Sequence, residues 1–557
     1  MEGWDLNQKD SMGNTPLAWA ARNGHERVVE TLLGRDDIDP DKEGDNDQTP
    51  LVLAACYGHE GVVKMLLERG DVNPNKSDRY GRTALYCASG NGNEGVVKIL
   101  LGRDDIDPDP DKGGDDDRTP LVLAACYGHE GVVKMLLERG GVNPNKSDKN
   151  GQTALCCASG NGNEGVVKIL LGRDDIDPDP DKEGDDDRTP LVLAACYGHE
   201  GVVKMLLERG DVNPNKSDRH GRTALYCASG NGHEGVVKIL LGRDDINPNK
   251  SDADGQTPLL LAILNRHEEV VGMLLGRSDI NPNERDLSGQ TPLSRATYRG
   301  QVAVVRMLLE LEDINPNKRD GNIETPLGYG ALNGDVTVVK MLLGRDDINP
   351  NRSNMYGQTP LSIAAHYGHQ GVVKMLLGRD DVNPDTPDVS GQTSLHRAAK
   401  KGHQDVVRVL LRRDDVNSDK PDNGGRTPLG WAAKNGHEGV VEILLGRDEV
   451  AIDKPDNAGR TPLWWAACHG NQGVVKILLR RDSVNPDRPD DRCQTPLSCA
   501  AANGHEGVVK IFLGRDDVNP DKPDNKGRTA LSYAVRTNYR PVIALLQLQT
   551  AATHSIE

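Results

Sequence analysis

The 557-residue sequence predicts an all-α solenoid in which helix-turn-helix repeats stack side by side and hairpin-like connector loops protrude between them. Three observations carry this. A Thr-(Pro/Ala/Ser)-Leu tripeptide opens at Thr15 and recurs to Thr529, sixteen times in all, every 34 residues except for two steps of 36. Each copy is followed by two apolar stripes at helical spacing. Hydrophobic residues make up only 36% and Phe512 is the single phenylalanine, so a thin linear core is expected rather than one large one.

The repeat opening at Thr359 shows what each part does. Thr359 caps the first free backbone amides and Pro360 suits the first helical position. Leu361, Ala364 and Ala365 then share one face, which makes a short first helix. Gly368-His369 breaks it. Val372, Val373, Leu376 and Leu377 supply the stripe of a second helix, and the following Asp-Asp-Val-Asn-Pro stretch, with Gly391 just before the next threonine, reads as a turn-rich connector. One such repeat can bury its stripes only against its neighbours.

These residues closely resemble the ankyrin repeat: the TPL opening, the paired alanines, the Gly-His turn, the Val-Val and Leu-Leu pairs and the terminal hydrophobic-Asn. The resemblance covers nearly the whole chain and implies an ankyrin-repeat solenoid. A tetratricopeptide array shares the period, but its Trp/Leu-Gly/Tyr pattern is absent. Two departures stand out. The histidine that usually follows TPL survives only as His396, so its hydrogen bonds must be replaced or lost elsewhere. The connector has one residue fewer before Asn383 and two more between Asn383 and Gly391, which predicts a longer, proline-stiffened finger.

The expected organisation is a partial connector over 1–14, an array of about sixteen repeats over 15–548 and a tail over 549–557. The last repeat reads as a cap, with Asn538-Tyr539 in place of Gly-His, Pro541 near the start of its second helix, and Gln547, Gln549 and Thr550 at its end. The chain opens in mid-connector at Asp5-Leu6-Asn7, as a piece of a larger protein would. Residues 49–118, 119–188 and 189–256 are a two-repeat block copied three times. The copies differ at Arg79-Tyr80, Lys149-Asn150 and Arg219-His220, all at expected finger tips.

A net charge of -18 repels phosphate and anionic lipid headgroups, which argues against nucleic acid and membrane surfaces as partners. None of the ten cysteines shows CxxC spacing, so zinc is not expected. Eight sit at small or apolar helix positions, as buried free thiols do, which favours a reducing compartment, the cytoplasm or the nucleus. Met1 to Gly13 shows no basic stretch followed by an apolar run, and nowhere are there 18 consecutive apolar residues, so neither secretion nor a membrane span is expected.

Nothing in the sequence demands catalysis. Ten of fifteen histidines occupy the Gly-His turn, and a residue repeated at one structural position reads as a structural device hydrogen-bonding turn backbone. Asn75-Lys76-Ser77 and Asn249-Lys250-Ser251 lack the glycines of a phosphate loop. The acidic connectors Asp107 to Asp117 and Asp177 to Asp187 fail the EF-hand pattern, since Lys112 replaces the required glycine and Arg118 the closing glutamate. They read as solvated loops. Neither a cofactor nor a metal site is expected.

A binding surface is expected instead on a second stripe of the first helix. Ile363 and Tyr367 lie four apart, hence stacked, and away from Leu361. The family resemblance assigns that stripe to a concave groove. The first eight repeats run from Trp19/Asn23 to Leu261/Asn265, and between these the stripe follows the duplicated block, alternating Leu/Tyr with Cys/Asn. In the second eight it becomes individual: Arg295/Arg299, Tyr329, Tyr367, Arg397/Lys401, Trp431, Trp465/His469 and Tyr533. Arginine and large aromatics are enriched at binding hot spots. The expected function is therefore an intracellular, monomeric protein-protein interaction scaffold or adaptor, working through this groove and the finger loops on partners with acidic and apolar anchors. Two alternatives are a mechanical or architectural spacer, about 160 Å long at helix-packing distances, and the sensing module of a larger NACHT-type signalling ATPase.

Overall fold

The computed structural model describes residues 5–107, 114, 116–177 and 187–553, with side chains to residue 549. Most of the two acidic connectors weighed for calcium (108–113, 115 and 178–186) and the tail residues 554–557 lie outside the described residues. The chain divides into two compact units, Met1–Leu287 and Ser288–Glu557. Among the described residues the regular structure of both is helical, without a strand, and a single isolated bridge joins Ser217 to Thr223.

Within each compact unit, the first helix of a repeat packs on the first helices of its neighbours, and second helices pack likewise. In the repeat at Thr359 the two helices are Pro360–Tyr367 and Gln370–Leu377. The Thr359 hydroxyl accepts the Ser362 amide at 3.2 Å, as the capping assignment requires. Gly368, in the left-handed region, ends the first helix. Leu361, Ala364, Ala365, Val372, Val373 and Leu376 are buried, and Leu377 is half-buried.

The Gly-His histidines are structural, but they serve the neighbouring repeat rather than their own turn. His403 Nε2 donates to the His366 carbonyl of the preceding first helix at 2.9 Å, and His59, His129, His199, His233, His267, His369, His437 and His505 make the equivalent bond. The carbonyls at a helix C-terminus otherwise lack donors. Asn93, Asn163 and Asn471 stand at the same position and reach the equivalent carbonyls, those of Cys56, Cys126 and Lys434, through Nδ2. His403→Asn should therefore be nearly neutral, whereas His403→Ala should cost about 1 kcal/mol. Urea midpoints of the two variants check this, and equal losses would refute the latch.

The connectors are stitched together by side chains. Arg379 holds the Asp381 carboxylate through Nε and Nη2, both at 2.9 Å, while Nη1 donates to the carbonyl of Leu343, the last residue of the preceding second helix. Asn351 Nδ2 donates to the Asp381 carbonyl at 2.6 Å and its Oδ1 accepts the Asn383 amide at 2.9 Å, imitating a backbone pair across repeats. At the tip, Asp388 Oδ1 accepts the amides of Ser390 and Gln392. Gly391 follows at φ +78°, and a Cβ there would lie 2.6 Å from the Asn423 amide nitrogen of the next tip. Asp78, Asp148 and Asp218 close their tips in the same way, which places Arg79-Tyr80, Lys149-Asn150 and Arg219-His220 on the turns.

The bonds of the missing TPL histidines are partly replaced. His396 is buried, with Nδ1 accepting the Thr393 amide at 3.2 Å and Nε2 donating to the Arg426 carbonyl at 3.1 Å. Ser294 Oγ supplies the first bond to Thr291, and Trp464 Nε1 supplies the second, to Gln494, at 3.2 Å. One cysteine pair departs from the free-thiol reading. Cys468 and Cys499, on successive first helices, are joined as a disulfide with Cα atoms 5.0 Å apart. Their separation of 31 residues is one period less a helical turn, which brings them onto one face.

Candidate binding surface on the first helices

All ten sequence-derived site residues fall in Ser288–Glu557, and the structure sorts them by depth. Arg299, Tyr367, Lys401 and His469 are exposed. Arg397 and Trp431 are half-buried, and Arg295, Tyr329, Trp465 and Tyr533 are buried at 6–8% exposure. Five of the ten share a task, turning the polar end of the residue two beyond the leucine toward the aspartate that closes the same finger, nine residues earlier, whereas Arg295 Nε donates to Gln290 at 3.0 Å. Trp431 Nε1 donates to Asp422 at 2.8 Å, Trp465 Nε1 to Asp456 at 3.1 Å, Tyr533 Oη to Asp524 at 2.7 Å, and Arg397 Nε to Asp388 at 2.9 Å. Tyr329 reaches Asp320 in the same way. One aspartate thus organises the tip with Oδ1 and anchors a helix side chain with Oδ2.

Around Trp431 and Trp465 the repeats build an alternating stack of cations and rings. Lys400 Nζ lies 4.2 Å above Trp431, and the Arg426 guanidinium is inserted between the two tryptophans, 4.1 Å from one ring centre and 4.3 Å from the other. Lys434 at 4.5 Å and Arg460 at 4.3 Å cover Trp465, and His469 lies 5.5 Å from the same ring. Trp464 meets Trp465 edge to face at 5.3 Å. Contacts of this kind contribute about 0.5–2 kcal/mol each, more where water is excluded.

The positive charge here exceeds what its acids neutralise. Burial, then the neighbouring cations, holds the pKa of Lys400 and Lys434 below the ordinary lysine value, and burial does the same to Arg426 despite Asp422 and Asp456. His366, beside Tyr367, is pushed down to about 4 by burial and by Lys401, Arg397, Lys400 and His403. The Arg426 Nε–H and His366 Nδ1 are buried without a hydrogen-bond partner among the described residues. Such a place favours an incoming anion.

Sequence reasoning found both tryptophans, Arg397, Lys401 and His469. It missed Lys400, Lys434, Arg426, Arg460, Trp464 and His366. Arg426 and Arg460 stand immediately before a threonine opening, where arginine recurs along the array, and Lys400, Lys434 and His366 stand seven residues after one, where residue type varies from repeat to repeat. In Met1–Leu287 the same helix face exposes Tyr57, Tyr127 and Tyr197 at 52–64% beside half-buried or buried cysteines.

Family comparison agrees with this geometry. Ankyrin repeats (3 copies) match residues 37–112, 106–182, 176–252, 244–320, 327–422, 414–490 and 483–554. Ankyrin repeats (many copies) match 300–343, and a single ankyrin repeat matches 12–45. No curated protein matches the chain.

Proposed function

Because the chain belongs to the ankyrin-repeat family, whose arrays are protein-protein interaction modules, we propose that it is a non-catalytic scaffold that captures an acidic, aromatic-bearing peptide segment of a partner protein on the Arg397 to His469 surface. The single observation that carries this is the surplus of partly desolvated cations, Lys400, Arg426 and Lys434, packed on Trp431 and Trp465 in a chain of net charge -18. A partner carboxylate placed among them relieves repulsion that the free protein bears, and an aromatic side chain extends the stack. In this proposal exposed Arg299 and Tyr367 extend the surface onto preceding repeats, while Arg295, Tyr329 and Tyr533, buried at 6–8% exposure, serve the scaffold.

Neither nucleic acid nor membrane is the proposed partner. Among the described residues no helix is long and apolar enough to cross a membrane. Eight free thiols fit a reducing compartment, cytoplasm or nucleus, with the Cys468–Cys499 disulfide as the exception, and the proposed scaffold acts as a monomer.

The test uses a fluorescent peptide alternating glutamate with phenylalanine. Lys401→Glu combined with Lys434→Glu should weaken its binding about tenfold or more at low salt, with a shallower salt dependence. Lys476→Glu, on an exposed second-helix position, should leave binding unchanged. Equal affinity of parent and double variant would sink the placement. Arg397→Glu is a poor probe, because it would set a carboxylate against buried Asp388.

A further inference from the structure

The register that joins Cys468 to Cys499 recurs three times in Met1–Leu287: Cys56 with Cys87, Cys126 with Cys157, and Cys196 with Cys227, each pair 31 residues apart. In each the earlier thiol is half-buried and the later one buried. In each pair the two cysteines stand on successive first helices, as Cys468 and Cys499 do. Two of the pairs open into cavities. One of about 700 Å³ is lined by Cys56, Arg82, Tyr86, Cys87, Tyr127 and His129. One of about 650 Å³ is lined by Arg118, Cys126, Cys157, Tyr197 and His199. Each thus offers solvent access, an arginine and a second thiol at one point.

We propose that Cys56/Cys87, Cys126/Cys157 and Cys196/Cys227 are dithiol modification sites that a small hydroperoxide converts into disulfides bridging adjacent repeats. The half-buried sulfur, as thiolate, attacks the peroxide. An S–O bond forms, the O–O bond breaks, and the released oxygen leaves as water or an alcohol after taking up the thiol's proton. The buried thiol then gives up its proton as its sulfur attacks the resulting sulfenic acid. The S–S bond forms, the S–O bond breaks, and water leaves. Two thiols are oxidised by two electrons and one peroxide is reduced.

The local electrostatics assign the roles within each pair. The Cys56 thiol lies below its ordinary pKa, chiefly through the hydrogen bond from Cys87 with help from Arg82, while that same bond and burial push Cys87 up. Cys126 beside Arg118 and Cys196 beside Arg188 and Arg222 repeat the asymmetry. A thiolate next to a guanidinium with a resolving thiol in contact is the environment that reacts selectively.

The experiment treats the fully reduced full-length chain with hydrogen peroxide, blocks remaining thiols and maps tryptic peptides without reduction. Four cross-linked peptide pairs are expected, Cys468–Cys499 re-forming as the reference beside the three proposed pairs, each about 2 Da lighter than its components, at peroxide doses that leave exposed Cys493 and buried Cys156 as thiols. The Cys126 and Cys196 peptides, 119–134 and 189–204, have one sequence, so their pairs are told apart by the partners, 150–168 and 223–238. Cys87→Ser should strand Cys56 as a sulfenic acid that dimedone labels, which the parent does not accumulate. Oxidation of Cys493 ahead of the pairs, or sulfinic acid at Cys56 without a cross-link in the parent, would overturn the proposal.

Discussion

Asp456→Ala should destabilise the repeats around Trp465 by about 3–5 kcal/mol, the cost of removing one member of a buried charge network. Asp456 is 6% exposed. Its Oδ1 accepts the amides of Ala458 and Arg460, both at 3.0 Å, and its Oδ2 accepts Arg460 Nε at 3.0 Å and Trp465 Nε1 at 3.1 Å. Arg426 lies 3.8 Å away. Burial alone would raise this carboxyl, but Arg460 and the two amides outweigh it and hold the pKa below its ordinary value. Alanine leaves the indole N–H and two guanidiniums without their acceptor inside the tryptophan stack.

Asp456→Asn separates the two tasks of this side chain. Asn354 stands at the equivalent tip and accepts the Tyr356 and Gln358 amides through Oδ1, so asparagine preserves the turn and removes only the charge. Its loss should be the smaller by about 1–3 kcal/mol. Because repeats contact only their neighbours, the effect should be local. Hydrogen exchange should rise in Pro462–Cys468 and the flanking helices while Pro360–Tyr367 stays protected. Uniform loss of protection, or equal losses for alanine and asparagine, would contradict the account.

Acid should weaken the same region through His396. Burial pushes this histidine down to about 4 in the folded chain, against about 6.5 when exposed. The unfolded chain therefore binds its proton first. Stability from the neutral ring is complete above the unfolded pKa, falls as pH drops below about 6.5, and is gone near 4, a change of about 3 kcal/mol. His366, also pushed down to about 4, titrates in the same direction.

His396→Ser isolates the contribution. Serine occupies the equivalent position at Ser294, Ser362 and Ser498. It keeps the cap on Thr393 but loses the bond to the Arg426 carbonyl, which costs about 1 kcal/mol at neutral pH. The variant should start less stable and lose less between neutral and acid conditions. Denaturant midpoints measured across that range decide it, and parallel curves for parent and variant would show that His396 carries no proton linkage.

Local features were legible in the sequence because each is set within a few residues. Threonine caps, the Pro360-type start, the left-handed Gly368 and the Val-Val/Leu stripe depend on helix geometry alone, and a strict period tells how often they recur. The Gly-His histidines were rightly read as structural for the same reason. Their acceptors were not readable, since His403 finds its carbonyl 37 residues away. The stripe of candidate binding residues was found by angle, but angle does not give depth. Trp465 and Lys401 belong to one stripe, yet one is buried against an aspartate nine residues back and the other is exposed.

The sequence by itself therefore determined the fold, the length of the repeat and the face on which individuality appears, because periodic burial of small apolar side chains is a local property. Stacking decided the rest. Only when one repeat lies on the next do residues about one period apart become neighbours. That places Arg426 between Trp431 and Trp465 and sets Cys56 against Cys87. Which polar side chains become scaffold and which remain free to meet a partner is decided by those contacts, not by spacing along the chain.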